Sequence, residues 1–253
     1  MAKEVIKQYH EAVVELCDKI LNEQHEAITE AATLVADAIQ EGKVFHVFGS
    51  GGHSNMVAIE MCHRAGNLIP ANCILDPGLG CEHGATRWCE KIPGYAQNVL
   101  RYWSVKPGDV LLQFNAYGLN TASIDTAMWC KENGVKLVAV TSPDLSRSIP
   151  EDFGGRHPVH KKNLCDLADV VINSYCIFGE GVVEIEGCNF KVSPTSTISN
   201  LFIMNSINAK VCEILAERGI EPPVWISGNI PGGTEKNQAG MDKYSAYGTL
   251  RHL

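Results

Sequence analysis

Residues 47–66, VFGSGGHSNMVAIEMCHRAG, hold the side chains best placed for chemistry. A short apolar run ends in glycines, and the helical stretch behind them carries His53, Glu60 and His63. The spacing predicts a helix over 53–65. Glu60 and His63 stand three apart and share a face of it. His53 stands seven before Glu60, two turns back on the same face. An acid between two imidazoles suits general acid–base catalysis, in which one group takes a proton and another polarises the reacting bond. The competing reading pairs Glu60 with Arg64 at i,i+4 as a surface bridge worth about 0.3–0.5 kcal/mol.

The glycines raise a second possibility. A strand, a glycine run and a helix form the geometry of a phosphate loop, because helix N-terminal N–H groups attract anions. Gly49 and Gly51 fit a dinucleotide fingerprint, but the third glycine position is Ser54. A Walker loop fails, since no GK[ST] follows. Without a ligand the run is a tight turn. With one, Ser50, Gly51, Gly52 and Ser54 are its contacts, at the carboxyl end of a strand where open parallel sheets bind.

Further on, PGLGCEHGATRW (77–88) sets Glu82 beside His83. That pair serves as an acid and a base, reaches a neighbouring subunit, or belongs to a solvated loop. Cys81, Glu82 and His83 with His63 or Cys62 would make a metal set, but no C-x2-C or H-x3-H spacing supports one. No metal and no cofactor are expected. Ser142 ends a predicted strand, followed by SRSIP (146–150). The basic run RHPVHKK (156–162) reads as a solvated helix start. PTST (194–197) places Thr195, Ser196 and Thr197 at a helix N-terminus, where capping accounts for one hydroxyl and a ligand for the others.

These groups need a scaffold. Val5, Tyr9, Ala12, Val13, Leu16 and Ile20 recur at helical steps, as do Ile28, Ala31, Ala32, Val35, Ala38 and Ile39, until Gly42. Short β-rich runs follow at 43–48, 109–114, 135–141 and 168–173, with a shorter one inside 67–75. Helical stretches lie between them at 53–65, 121–133 and, more weakly, 161–167. This alternation predicts βαβ crossovers and an α/β fold with a parallel sheet covered on both faces. Residues 182–187 read as an edge strand and 196–218 as a long helix. Three parts are expected: a helical arm over 1–41, the α/β domain over 42–220, and a tail over 221–253 that is ordered by docking.

The formal net charge of −8 removes the electrostatic footprint of a nucleic-acid binder. No segment reaches the roughly 18 apolar residues of a membrane span. The N-terminus lacks the apolar core of a signal peptide. The ten cysteines are dispersed with no CxxC pair, so they read as reduced thiols and the location as cytoplasmic.

Four segments together carry a resemblance: FGSGGHSNMVAIEMCHRAG, DVLLQFNAYGLNTASIDTAMWCKENGVKLVAVTS, SRSIPEDFGGRHPVHKKNLCDLADVVIN and EGCNFKVSPTSTISN. They resemble the sugar isomerase (SIS) domain proteins, in particular a phosphosugar-binding bacterial branch. The resemblance implies a three-layer αβα sandwich with a five-stranded parallel sheet, preceded here by two helices. It also implies homodimers or homotetramers with sites near subunit interfaces, and a sugar or sugar phosphate as ligand. The activity it favours is aldose–ketose isomerisation through an enediol. A lyase or etherase, or a non-catalytic phosphosugar sensor, are the alternatives.

Two departures stand out. The family's second loop holds phosphate with serine hydroxyls, but here it reads Asn115, Ala116, Tyr117, Gly118, Leu119, Asn120, followed by Thr121. An inward Tyr117 fills the phosphate space, while an outward one leaves backbone N–H groups to hold an anion. The family's catalytic glutamate falls on His63, and the nearest acid is Glu60. Glu60 is therefore expected as the base, with His63 or His53 opening the ring, and Glu82 and His83 as a second pair.

Overall fold

A computed structural model describes residues 4–82 and 84–245. Two helices open the chain, α1 (Val5–Glu23) and α2 (His25–Gln40). Strand β1 (Phe45–Gly49) leads through a 3-10 turn (Gly52–Asn55) into α3 (Met56–Met61). Then come β2 (Ala71–Ile74), α4 (Thr86–Cys89), α5 (Tyr95–Tyr102) and β3 (Val110–Phe114). After α6 (Thr121–Glu132) the chain forms β4 (Lys136–Thr141), α7 (Pro143–Ser148) and β5 (Val170–Asn173). A ribbon of β6 (Gly181–Glu184) and β7 (Lys191–Pro194) precedes α8 (Ser196–Glu217) and α9 (Gly233–Ser245).

The main sheet has five strands in the order β2-β1-β3-β4-β5, all parallel. Successive side chains point to opposite faces, so each strand feeds two cores. Phe45, Val47, Leu112, Phe114, Val138 and Val140 face the layer of α2, α3 and α8. Phe48, Leu111, Leu137 and Ala139 face α5 and α6. Both faces are buried, which is why these strands read as unbroken apolar runs. The result is the expected three-layer αβα sandwich. α2 lies against α8, and Ala31, Ala32, Val35 and Ala36 are fully buried there. Their small side chains let the two helices approach closely.

Polar side chains inside the sheet bond to one another, although Asn72 Oδ1 and Gln113 Oε1 have no partner among the described residues. At the amino ends of the strands His46 Nε2 lies 2.9 Å from Asp109 Oδ2. Asn72 Nδ2 donates to His46 Nδ1 at 2.9 Å and to the Trp103 carbonyl at 3.1 Å. Both ring nitrogens of the buried imidazole therefore have a polar partner.

Four details differ from the sequence expectation. The helix over 53–65 stops at Met61, because Cys62 is extended and His63 turns left-handed at φ 52°. Residues 182–187 do not edge the main sheet. Their β6 pairs antiparallel with β7 as a separate ribbon beside α1. The stretch 161–167 is reduced to a 3-10 turn at Leu164–Asp166. Finally, α4 begins inside the stretch 77–88, and α5 forms over residues to which the sequence reading assigned no element.

The tail joins the fold through its backbone. Gly66 and Ile69 donate to the Trp225 and Pro223 carbonyls, and Trp225 donates back to Asn67. Trp225 and Tyr244 bury against Val44 and Ile69. Replacing Trp225 by alanine should cost about 3–5 kcal/mol, read as a lower urea midpoint at unchanged slope. An unchanged midpoint would mean that the tail adds nothing to stability.

Candidate functional site

A cavity of about 760 Å³ opens at the carboxyl ends of β1 and β3. The first glycine loop, the second loop and the N-terminus of α8 form its walls. Each wall is set by a local constraint.

The first loop is a tight reversal. A Cβ on Gly49 would collide with the backbone of Ser54 and Asn55, so only glycine fits. Gly51 sits at φ 126°, a conformation that side chains rarely adopt, and a Cβ there would strike the Glu90 carboxylate. Gly52 N donates to Thr86 Oγ1 at 2.9 Å. Ser50 is fully buried, and its hydroxyl meets Ser123 Oγ at 2.7 Å beneath the loop.

The second loop is held from within. Gly118 N donates to Asn115 Oδ1 at 2.8 Å, and Asn115 Nδ2 donates to the Ser50 carbonyl at 3.2 Å. Asn120 caps α6, accepting from Ser123 N at 2.8 Å. Its amide nitrogen donates to the Ser50 carbonyl at 3.1 Å and to Glu90 Oε2 at 3.0 Å. Ala122 N donates to the Glu90 carbonyl at 2.9 Å. One short segment, 84–90, is thereby laced to both loops.

Glu90 follows directly from this packing. It is half-buried, and loss of water pushes its carboxyl above the ordinary value, with Asn120 and Lys91 opposing the shift. It lines the cavity together with His53, Ser54, Asn115, Tyr117 and Asn120. Tyr117 also packs on Leu145, Ile149 and Cys176, so its ring forms wall rather than plug. Burial raises the Tyr117 hydroxyl pKa. Opposite stand Glu180, Ser196, Thr197 and Asn200, with Ser196 Oγ donating to Glu180 Oε2 at 2.8 Å. Exposed Phe153 and Phe178 frame the mouth.

The loop that carries Ile149 and Pro150 to the wall is stapled by Arg156. Its guanidinium donates to the carbonyls of Ser146, Ile149 and Pro150 and to Asn163 Oδ1. Behind the second loop, buried His157 lies 3.1 Å from Asp125 Oδ1. Val159 N and His160 N donate to its Nδ1, and Gly94 N donates to Asp125 Oδ2. The run RHPVHKK is therefore anchored by two buried side chains, rather than being a solvated helix start.

The sequence-derived trio is parted. His53 reaches the cavity. Glu60 lies outside it, with Oε1 3.3 Å from Arg64 Nε. His63 has left the helix, so it shares no face with Glu60, and its ring packs edge-on against Trp225 at 4.9 Å. Glu82 is exposed, and His83 lies outside the described residues. Thr121 is buried at the start of α6. Ser142 is buried against Ser174, its hydroxyl accepting from Cys176 N at 2.7 Å. Among the described residues no group of three or more His, Cys, Asp or Glu is positioned to hold a metal ion. None of their helices is long and apolar enough to cross a membrane. Glu90, Glu180 and Asn200 did not emerge from the sequence reading. The glutamates' only local signals are a carboxylate before the turn KIPG and one after the turn FG.

Residues 8–142 match the family described as SIS domain. The chain is 33% identical over 242 residues to the UPF0309 protein of Geobacillus kaustophilus, covering 95% of this chain and 94% of that protein. It is 36% identical over 231 residues to a UPF0309 protein of Listeria monocytogenes, covering 91% and 93%. Among solved structures it is similar to a phosphoheptose isomerase from Francisella tularensis, with TM-score 0.54 and 14% identity over 82% of this chain and 96% of that one. A phosphoheptose isomerase from Neisseria gonorrhoeae gives TM-score 0.53 and 12% identity over 82% and 97%. At such identities the structural likeness is one of fold.

Asn120→Ala should cost about 1 kcal/mol through the lost cap. It should also raise the Glu90 pKa further, because the amide that favours the charged carboxylate is gone. Denaturant unfolding reads the first effect, and carbon-detected titration of the Glu90 carboxyl reads the second.

Proposed function

Because the chain belongs to the SIS domain family, we propose that its cavity binds a sugar or sugar phosphate and that the protein is an aldose–ketose isomerase. The observation that carries this reading is Glu90, a half-buried carboxyl pressed against Gly51 at the floor of the cavity. Enediol chemistry requires a base that takes a proton from the carbon beside a carbonyl and returns it to the next one. A carboxyl raised by burial meets that need, because its carboxylate takes up a proton more readily than an ordinary one and its conjugate acid still returns it to the enediol. His53, which also lines the cavity, is assigned to ring opening or carbonyl polarisation. Glu60, committed to Arg64, passes the base role to Glu90.

The names of the two solved neighbours, both isomerases, agree with this chemistry. A sensor would use the same cavity without needing a base at its floor, which favours the enzyme.

Glu90→Gln should keep the fold and the hydrogen bond from Asn120 while lowering turnover about 10²–10⁴-fold. Glu60→Gln should leave turnover within a few-fold of the parent. Deuterium incorporation from solvent at the carbon beside the carbonyl should vanish in the first variant and persist in the second. The reverse pattern would return the base role to Glu60. The ionised carboxylate is the active form, so kcat/KM should fall as pH drops through the Glu90 pKa. That acid limb should lie above the ordinary glutamate value of 4.5.

A further inference from the structure

Asp125 is a buried carboxylate in the second turn of α6, with no part in the chemistry proposed above. A carboxylate in such a place costs free energy unless donors meet its oxygens. Here each oxygen has one. Gly94 N donates to Oδ2 at 2.6 Å, and His157 Nε2 stands 3.1 Å from Oδ1. The backbone N–H groups of Val159 and His160 both donate to His157 Nδ1. That nitrogen therefore accepts, and the ring proton sits on Nε2, facing Asp125. Asparagine in this position would set an NH2 group against one of the two N–H donors.

The two donors belong to the two segments that meet at the cavity floor. Gly94 closes the turn that begins at Glu90. At the start of that turn the Glu90 carbonyl accepts from Ala122 N, a first-turn amide of α6 with no acceptor inside its own helix. Residues 90 and 94 are thus pinned to one helix at positions 122 and 125, while Lys91, Ile92 and Pro93 between them are exposed. His157 leads to the second loop. Its own N–H donates to the Leu119 carbonyl at 3.0 Å, next to Asn120, whose amide donates to the Glu90 carboxylate at 3.0 Å. Both partners of the Asn120–Glu90 bond are therefore anchored through one buried group.

We propose that Asp125 is the positioning residue of the site: through Gly94 it fixes the turn that carries Glu90, and through His157 it fixes the loop that carries Asn120. Neither Asp125 nor His157 lines the cavity, so the effect runs through Glu90. The consequence for turnover rests on the reading of Glu90 as the base, while the positioning itself is measurable without substrate.

The test is Asp125→Asn in the full chain, read first by carbon-detected titration with no sugar present. The substitution keeps the size of the side chain and breaks one of its two bonds. The turn should loosen, and the Glu90 carboxyl, raised by burial, should fall toward its ordinary value as water reaches it. In turnover, kcat should fall about 10–100-fold while KM stays within about threefold. Added to Glu90→Gln, the same substitution should lower the residual kcat by less than about twofold, because no base is left to position. Pro93→Gly frees the exposed middle of the turn without touching the core. It should move the Glu90 carboxyl the same way, and it decides the matter if Asp125→Asn does not fold.

A Glu90 carboxyl that titrates unchanged in folded Asp125→Asn, or in Pro93→Gly where the first variant does not fold, overturns the proposal. An equal loss of kcat with and without Glu90→Gln, where Glu90→Gln is itself impaired, also overturns it and marks a general structural role. A shifted Glu90 carboxyl in a protein that turns over no sugar upholds the positioning and sinks the isomerase reading. Full turnover by Glu90→Gln sinks Glu90 as the base and leaves the titration to decide the positioning.

Discussion

The site depends on the side chain of Asn120. One amide group caps α6, ties the first glycine loop through the Ser50 carbonyl and holds the Glu90 carboxylate. These three bonds join segments that lie 70 and 30 residues away along the chain. Aspartate would cap the helix as well as asparagine but would offer Glu90 no donor. Serine or threonine would cap it, but is too short to span the gap to both loops. Asparagine meets all three demands because it carries both a donor and an acceptor at the end of a short arm.

That node explains why the carboxylate at the cavity does not come from the helix behind the first loop. In this chain α3 lasts only six residues. The left-handed turn at His63 sends the chain away from the cavity toward the tail, where Trp225 receives the imidazole. The space beside Gly51 is filled instead from 84–90. Thr86 binds the loop at Gly52 while Glu90 reaches its glycine at 51. A Cβ on Gly51 would exclude that carboxylate, so the loop glycine and the acid form one requirement.

The layered architecture was legible because parallel strands buried on both faces leave apolar runs, as at 110–114 and 136–141. The cavity walls at His53, Ser54, Tyr117, Ser196 and Thr197 were legible too, since turns at strand ends and helix starts announce themselves locally. Glu90 was not. Its role depends on a close tertiary approach to Gly51, and α4 is too short for a periodic signal. The stop of α3 was hidden for a similar reason. A non-glycine residue in the left-handed region is set by what surrounds it, here Trp225. The ribbon of β6 and β7 was misread because a half-buried strand shows the same alternation in a hairpin as at a sheet edge.

Phe153 and Phe178 stand 51% and 78% exposed at the mouth, on two separate loops. Water against such rings binds poorly, and a flat molecule entering between them releases it. Sugars present an apolar C–H face as well as hydroxyls, and that face suits an aromatic rim. Occupation of this cavity should therefore lower the heat capacity of the protein, a hydrophobic signature on a ligand that is otherwise recognised through hydrogen bonds.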